Sequence, residues 1–386
     1  MLVRAKHFQT GKPIDLHCQE GTVQDILPAG EAPADKEGEW VCPGLFDLQI
    51  NGGLGIPFSD ATLDTPKIIT VVEECFSHGI TSLCPTLITN SKETLLHGFR
   101  ALRQAKDADE NLSQALPCFH LEGPFISPQD GPRGAHAKKH VRLPDWKEFQ
   151  ELQEASGGNI RLVTLAPELP GAMDFIRELT LIGVVAAIGH TAATPDCIRQ
   201  AIKAGAKLST HLGNGSHAVL PRHENYLWEQ LAADNLLASF IPDGHHLPPA
   251  ILRAIVRTKP REKLVITCDA GSLAGMPPGK YSTWGMELEV LPRGKVVVPG
   301  TPFLAGSGLF TDECLRHLIS LGDVSLDWAI SMAGAIPRKL LGLPGMDLEA
   351  GMPARLVLFQ SHLGSEFQVQ ATLVGERWYS GKPRTP

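Results

Sequence analysis

The chain has no run approaching 18 apolar residues, so it offers no membrane-spanning helix. Its opening, Met1-Leu-Val-Arg-Ala-Lys-His-Phe, lacks the apolar core of a secretory leader. Basic side chains are not in excess: 35 Lys and Arg stand against 42 Asp and Glu, a net charge of -7. That balance argues against a nucleic-acid groove and against binding to an anionic membrane surface. The eight cysteines are scattered singly, with no CxxC pair, mostly in apolar strand-like contexts. They read as small buried hydrophobes in a reducing compartment, which excludes a zinc ribbon or a disulfide framework. Heptads, low-complexity tracts and short-period repeats are absent as well. What remains is an ordinary soluble, cytoplasmic protein. Its 386 residues, 43% of them hydrophobic, suffice for one large barrel with an appendage.

The two ends of the chain look alike. Met1 to Ala5, Pro13 to Cys18 and Thr22 to Leu27 are short, partly alternating stretches broken by Gly and Pro, and the polar segment Gly30 to Gly38 closes them. Ala354 to Phe359, Phe367 to Val374 and Glu376 to Tyr379 have the same character. Residues 1–42 and 350–386 are therefore expected to pair into one small β-sandwich domain. Between them, eight apolar runs alternate with helix-like stretches: Leu45–Ile50, Thr81–Ile88, Cys118–Leu121, Ile160–Ala166, Gly183–Ile188, Lys207–His211, Leu236–Ile241 and Leu264–Cys268. Eight strand–helix units predict an α/β fold, a (β/α)8 TIM-like barrel over residues 43–349.

In such a barrel the chemistry sits on the loops where strands end. The third run ends in Glu122, followed by Gly123 and Pro124, which forbid regular continuation. A carboxylate at the mouth of a buried strand needs a cation, a proton or several donors. The fifth run ends in His190, the sixth in His211, and the eighth in Asp269. One carboxylate and two imidazoles make a hydrolytic zinc set with an open position for water and substrate. Asp269 is placed to act as general base on that water and to pass the proton to a leaving nitrogen. Taken singly, each histidine also reads as a hydrogen-bonded structural residue, and Glu122 or Asp269 as a helix cap. Their joint occurrence at successive barrel ends favours the metal.

These motifs resemble the amidohydrolase superfamily and, within it, the N-acetylglucosamine-6-phosphate deacetylases. The matching segments run through nearly the whole chain: Pro43-Gly-Leu-Phe-Asp-Leu-Gln-Ile-Asn-Gly-Gly, Cys84-Pro-Thr-Leu-Ile-Thr, His120-Leu-Glu-Gly-Pro-Phe, Gly134-Ala-His136, Thr164-Leu-Ala-Pro-Glu and Gly189-His190-Thr-Ala-Ala-Thr. They continue with Thr210-His211-Leu, Asp243-Gly-His-His246, Asp269-Ala270, Leu304-Ala-Gly-Ser307 and Gly351-Met-Pro-Ala354-Arg-Leu. The resemblance implies Glu122, His190 and His211 as metal ligands and Asp269 as the acid/base. It implies His136 and His246 as contacts to the sugar and the acetamide, with Leu304 beside them. Many amidohydrolases carry His-x-His on the first strand and bind two metals; here Gln49-x-Asn51 stands instead, and neutral amides are poor transition-metal ligands. The expectation is one divalent ion per chain, Zn2+ first, with Gln49 and Asn51 hydrogen-bonding in the barrel mouth.

The resemblance also places a 6-phosphate on backbone N–H groups at Asn214 and Gly215 and on Arg222, eleven residues after His211. The segment Gly213-Asn-Gly-Ser-His217 departs from the family's Asn-Ala-Met run, and Arg222 alone also reads as a surface arginine. Three functions stay open: hydrolysis of N-acetylglucosamine-6-phosphate to glucosamine-6-phosphate and acetate; deacylation of another N-acylated sugar or amino acid, or opening of a cyclic amide; and sugar-phosphate binding without turnover. The intact Glu122, His190, His211 and Asp269 argue against the last. Relatives are dimers in which a neighbour's loop completes the pocket, so a homodimer is implied, with Arg222 or His246 acting across its interface.

Overall fold

The computed structural model describes residues 1–283, 285–301, 303–361 and 366–382. Parts of the C-terminal stretch assigned to the small domain, residues 362–365 and 383–386, lie outside them.

Eight parallel strands form the central sheet in unbroken chain order: Leu45–Ile50, Ile80–Ile88, Phe119–Glu122, Ile160–Leu165, Val185–Ile188, Leu208–Ser209, Leu237–Phe240 and Leu264–Ile266. A bridge between Ile50 and Ala270, with Asn51 N donating to Ala270 O at 2.8 Å, closes first strand against eighth. The fold class expected from the apolar runs is therefore the one observed. Side chains alternate across this wall. Phe46, Leu48, Cys84, Cys118, Leu162, Ala187, Leu208 and Val265 fill the interior, while Phe119, Leu121, Val163 and Ile188 pack outward under the helices.

The helices start where the sequence supplies caps. Asp64 accepts from Lys67 N ahead of Thr65–Ser77, Ser91 from Thr94 N ahead of Lys92–Lys106, and Asp145 from Glu148 N ahead of Trp146–Ala155. Each satisfies an N–H that the first turn leaves unpaired.

Both chain ends share one seven-stranded sheet. The strand that joins them is Lys36–Pro43, parallel to Leu2–His7 on one side and antiparallel to Arg355–Gln360 on the other. The sheet curls until Thr22 bridges Pro353, enclosing a small core of Val3, Leu16, Val23, Val41, Leu356 and Leu373. Arg355 fastens it to the barrel by donating to Thr81 O, Asn111 O and the Gln114 side chain at 2.6–2.9 Å.

A three-stranded antiparallel flap follows the eighth strand (Gly279–Thr283, Met286–Leu291, Lys295–Val297). Its apolar face, Leu288, Val290 and Val296, packs with Leu273 and Ala305 against Ala135, next to His136.

Candidate metal centre and catalytic cluster

The four residues singled out at strand ends converge. Glu122 Oε1 lies 3.1 Å from His190 Nε2 and 3.0 Å from His211 Nε2, and the two Nε2 atoms are 3.1 Å apart. His190 Nδ1 donates to Pro132 O at 2.8 Å, which leaves its Nε2 lone pair facing the cluster. A carboxylate oxygen and two imidazole nitrogens in a near-equilateral triangle cannot all be satisfied by protons on one another. They fit a shared cation, since donors about 2.0–2.2 Å from zinc stand roughly 3–3.5 Å apart. His136 is at the margin: its ligand atom, with those of Glu122 and His190, falls within a 4.8 Å set. The triangle with His211 is the tighter match, and His136 Nδ1 is already engaged by Thr89 Oγ1 at 2.8 Å.

Burial opposes the charge on Glu122, but the two imidazoles outweigh it and hold the carboxyl well below its usual range. Burial drives the His136 ring down to about 3, with the neighbouring His190 acting the same way. His136 is thus a neutral ring at neutral pH. It packs edge-on against His190, with ring centroids 4.3 Å apart.

Asp269 is enclosed by protein but keeps part of its surface open to the barrel mouth. Gln49 Nε2 donates to Asp269 Oδ1 and to Glu122 Oε1, each at 2.9 Å, and Asn51 Nδ2 donates to Asp269 Oδ1 at 2.7 Å. Burial and the charge of Glu122 raise the Asp269 carboxyl to about 6. Above that pH it is an ionised base with its other oxygen free of these amides. The carbonyl oxygens Gln49 Oε1 and Asn51 Oδ1 are buried with no hydrogen-bond partner among the described residues.

His246 is held from behind. Its Nδ1 meets Asp243 Oδ2 at 2.7 Å, and Asp243 Oδ1 accepts the backbone N–H groups of His245 and His246. Burial pushes the Asp243 carboxyl up, yet these donors bring it down to about 2. Ser307 donates to the same Oδ2, which joins the strip after Leu304 to this cluster. Leu304 itself is half-buried and bridges Val297 of the flap.

The sixth-strand loop divides. Asn214 folds back on the carbonyl of His211, and Gly215 lies under His190: a Cβ there would sit 2.8 Å from His190 Nδ1. Arg222 is exposed, with no partner for its guanidinium among the described residues. His217 reaches across the mouth to Gln129 at 3.1 Å, so the two loops touch.

Two supporting carboxylates carried no role in the sequence reading. Glu168 accepts from Thr191 Oγ1 and Ala192 N at 2.5 and 2.7 Å, fixing the turn just after His190. Asp47 is fully buried and accepts from Thr267, Thr311 and the N–H groups of Gln49 and Cys268. Its signal was a charge inside an otherwise apolar strand. The backbone held a further surprise: His190, His211 and Asp269 all have positive φ, 51°, 31° and 51°.

No family model matches the chain. Similar proteins are nonetheless plain. The chain is 36% identical over 353 residues to the N-acetylglucosamine-6-phosphate deacetylase of Homo sapiens, covering 88% of this chain and 83% of that protein. It is 31% identical to the N-acetylgalactosamine-6-phosphate deacetylase of Escherichia coli O157:H7, covering 90% and 91%. Among solved structures, the N-acetyl-D-glucosamine-6-phosphate deacetylase of Mycobacterium smegmatis, in complex with N-acetyl-D-glucosamine-6-phosphate, superposes with a TM-score of 0.86 at 33% identity. The match covers 98% of each chain.

Proposed function

Because the chain belongs to the N-acetylglucosamine-6-phosphate deacetylase family of amidohydrolases, we propose that it hydrolyses the acetamide of N-acetylglucosamine-6-phosphate to glucosamine-6-phosphate and acetate. The observation that carries this reading is the triangle of Glu122, His190 and His211 with Asp269 tethered to it through Gln49. A divalent ion held by those three side chains, Zn2+ by donor type and one per chain, would polarise the acetamide carbonyl and acidify a water. Asp269 takes the proton of the attacking water on its free oxygen and delivers it to the sugar nitrogen as the C–N bond breaks. Neutral His136 offers a ring nitrogen to the substrate's polar groups. His246, with Nδ1 held by Asp243, presents Nε2 in one orientation. Arg222 and the backbone N–H of Gly215 receive the 6-phosphate, the N–H of Asn214 being spent on the carbonyl of His211, in a homodimer whose second copy lies over the exposed loop that carries Arg222. Residues 43–349 form the catalytic unit. Eight free cysteines, seven of them buried, fit a cytoplasmic location.

A second reading, the galactosamine epimer, is favoured by the Escherichia coli relative. The altered run Gly213-Asn-Gly-Ser-His217 lies where the 6-phosphate end of the substrate is expected, so both epimers belong in the same assay. The test is a turnover screen with zinc supplied, using N-acetylglucosamine and N-acetylgalactosamine with and without the 6-phosphate. The 6-phosphate of glucosamine type should give the highest kcat/KM. Equal rates on free and phosphorylated sugar would overturn the assignment.

A further inference from the structure

One layer below the cluster, the barrel interior is polar where the layer beneath it is apolar. His120 lies two residues before Glu122 on the third strand and is fully buried, as are Thr86 on the second strand and Thr164 on the fourth. Thr210, just before His211, is buried beside them. These four side chains form one hydrogen-bonded chain: Thr86 Oγ1 to His120 Nδ1 at 3.3 Å, His120 Nε2 to Thr164 Oγ1 at 2.8 Å, and Thr164 Oγ1 to Thr210 Oγ1 at 2.8 Å. At its far end Thr86 Oγ1 donates to Cys84 O at 3.1 Å.

Proton order in this chain is determined by its end. The Thr86 hydroxyl spends its hydrogen on a backbone carbonyl, so it accepts from His120 Nδ1–H. The Nε2 lone pair then accepts from Thr164, and Thr164 accepts from Thr210. Each hydrogen in this order is used once. The fifth strand joins without a side chain: Gly189, the residue before His190, lies flat on the same threonines. A Cβ there would fall 2.6 Å from Thr164 Cγ2 and 2.9 Å from Thr210 Cβ. The layer therefore touches the chain two residues before Glu122 and directly before both His190 and His211.

We propose that His120, acting through Thr164 and Thr210, is the positioning residue of the metal centre, holding the strands that deliver Glu122, His190 and His211 at one spacing. The inference rests on those three residues being the ligands. Side chains behind metal ligands typically govern affinity and activity by 10–100-fold when removed. His120 needs no contact with substrate to exert that effect.

The experiment uses the full-length apoprotein, titrated with zinc against a chromophoric chelator, and steady-state kinetics of the zinc-loaded enzyme. Thr164→Val keeps the shape and deletes the link; it should weaken zinc about 10- to 100-fold and lower kcat while leaving KM within about twofold. Thr164→Ser keeps the hydroxyl and should restore both. A Thr164→Val protein that binds zinc as tightly as the parent overturns the proposal, and so does a Thr164→Ser protein that loses as much as Thr164→Val. Should Thr164→Val fail to fold, Thr210→Val cuts the chain at its other end and is judged by the same criteria. A parent protein that takes up no zinc would instead refute the ligand assignment.

Discussion

The side-chain amide of Gln49 bonds Asp269 Oδ1 at 2.9 Å, across 220 residues of sequence, and bonds Glu122 Oε1 at the same distance. One neutral group thus spaces the proposed base from the proposed metal ligand. Both of its hydrogens are committed to carboxylates, so it presents no donor to solvent or substrate. An imidazole in its place would bring a metal-binding lone pair; the amide brings two donors and keeps two negative groups apart.

Asp269→Asn should separate the roles of these two carboxylates. The ion should stay, because Glu122, His190 and His211 are untouched, while kcat falls by about 10²–10⁴, the usual share of a general acid–base. Metal analysis together with kcat checks it. Substantial turnover in this variant would assign the proton work to His136 or His246.

Metal content follows from the same amide. The purified protein, saturated with zinc and freed of excess, should carry close to one ion per chain. Removing it with a chelator should abolish turnover, and one equivalent should restore it. A firm content near two would mean that Gln49 and Asn51 serve as ligands after all.

Arg222 is the test of phosphate recognition. Losing a charge-assisted pair worth about 1.5–3 kcal/mol should lower kcat/KM for the phosphorylated sugar roughly 10- to 100-fold. Turnover of the free sugar should stay the same. Equal loss on both substrates would make Arg222 a structural residue of the loop.

Stability has a pH signature far from the site. The buried His78 ring lies between Asp312, 3.0 Å from Nδ1, and Glu74, 3.5 Å from Nε2. Burial pushes it down, but the two carboxylates outweigh this and raise it to about 9. A raised folded value stabilises the protein fully below the unfolded value of about 6.5 and is lost as pH rises through 9. Urea midpoints between pH 6 and 9.5 should therefore fall more steeply for the parent than for His78→Gln. Parallel slopes would show that His78 does not carry the effect.

The barrel was legible because most of its strands are apolar runs that stop at a polar residue, the two-residue sixth strand Leu208–Ser209 being the weakest of them, and that same stop marked Glu122, His190, His211 and Asp269. The strand Lys36–Pro43 was not legible. Only Val41 and Cys42 of its eight residues are buried, so the polar segment before Trp40 shows no alternation, although it pairs on both sides. The flap at 279–297 escaped for a related reason: it covers the mouth with one apolar face and adds nothing to the strand–helix rhythm. His120 stood in plain view within a quoted motif. What concealed its role was distance in sequence, since its partners Thr164 and Thr210 are 44 and 90 residues away. The backbone angles at the mouth leave no trace in composition, because the residues that adopt them are chosen for chemistry.

Those angles carry a consequence for how much change the whole chain tolerates. A left-handed conformation costs a side-chain-bearing residue about 1–2 kcal/mol, so His190, His211 and Asp269 together withhold roughly 3–6 kcal/mol from a net stability of about 5–15 kcal/mol. Glycine at these positions would relieve the tension and erase the chemistry. The margin left for harmful substitutions in the distant core is thus narrowed at the mouth, and a cavity opened anywhere in the barrel draws on a reserve the active site has already reduced.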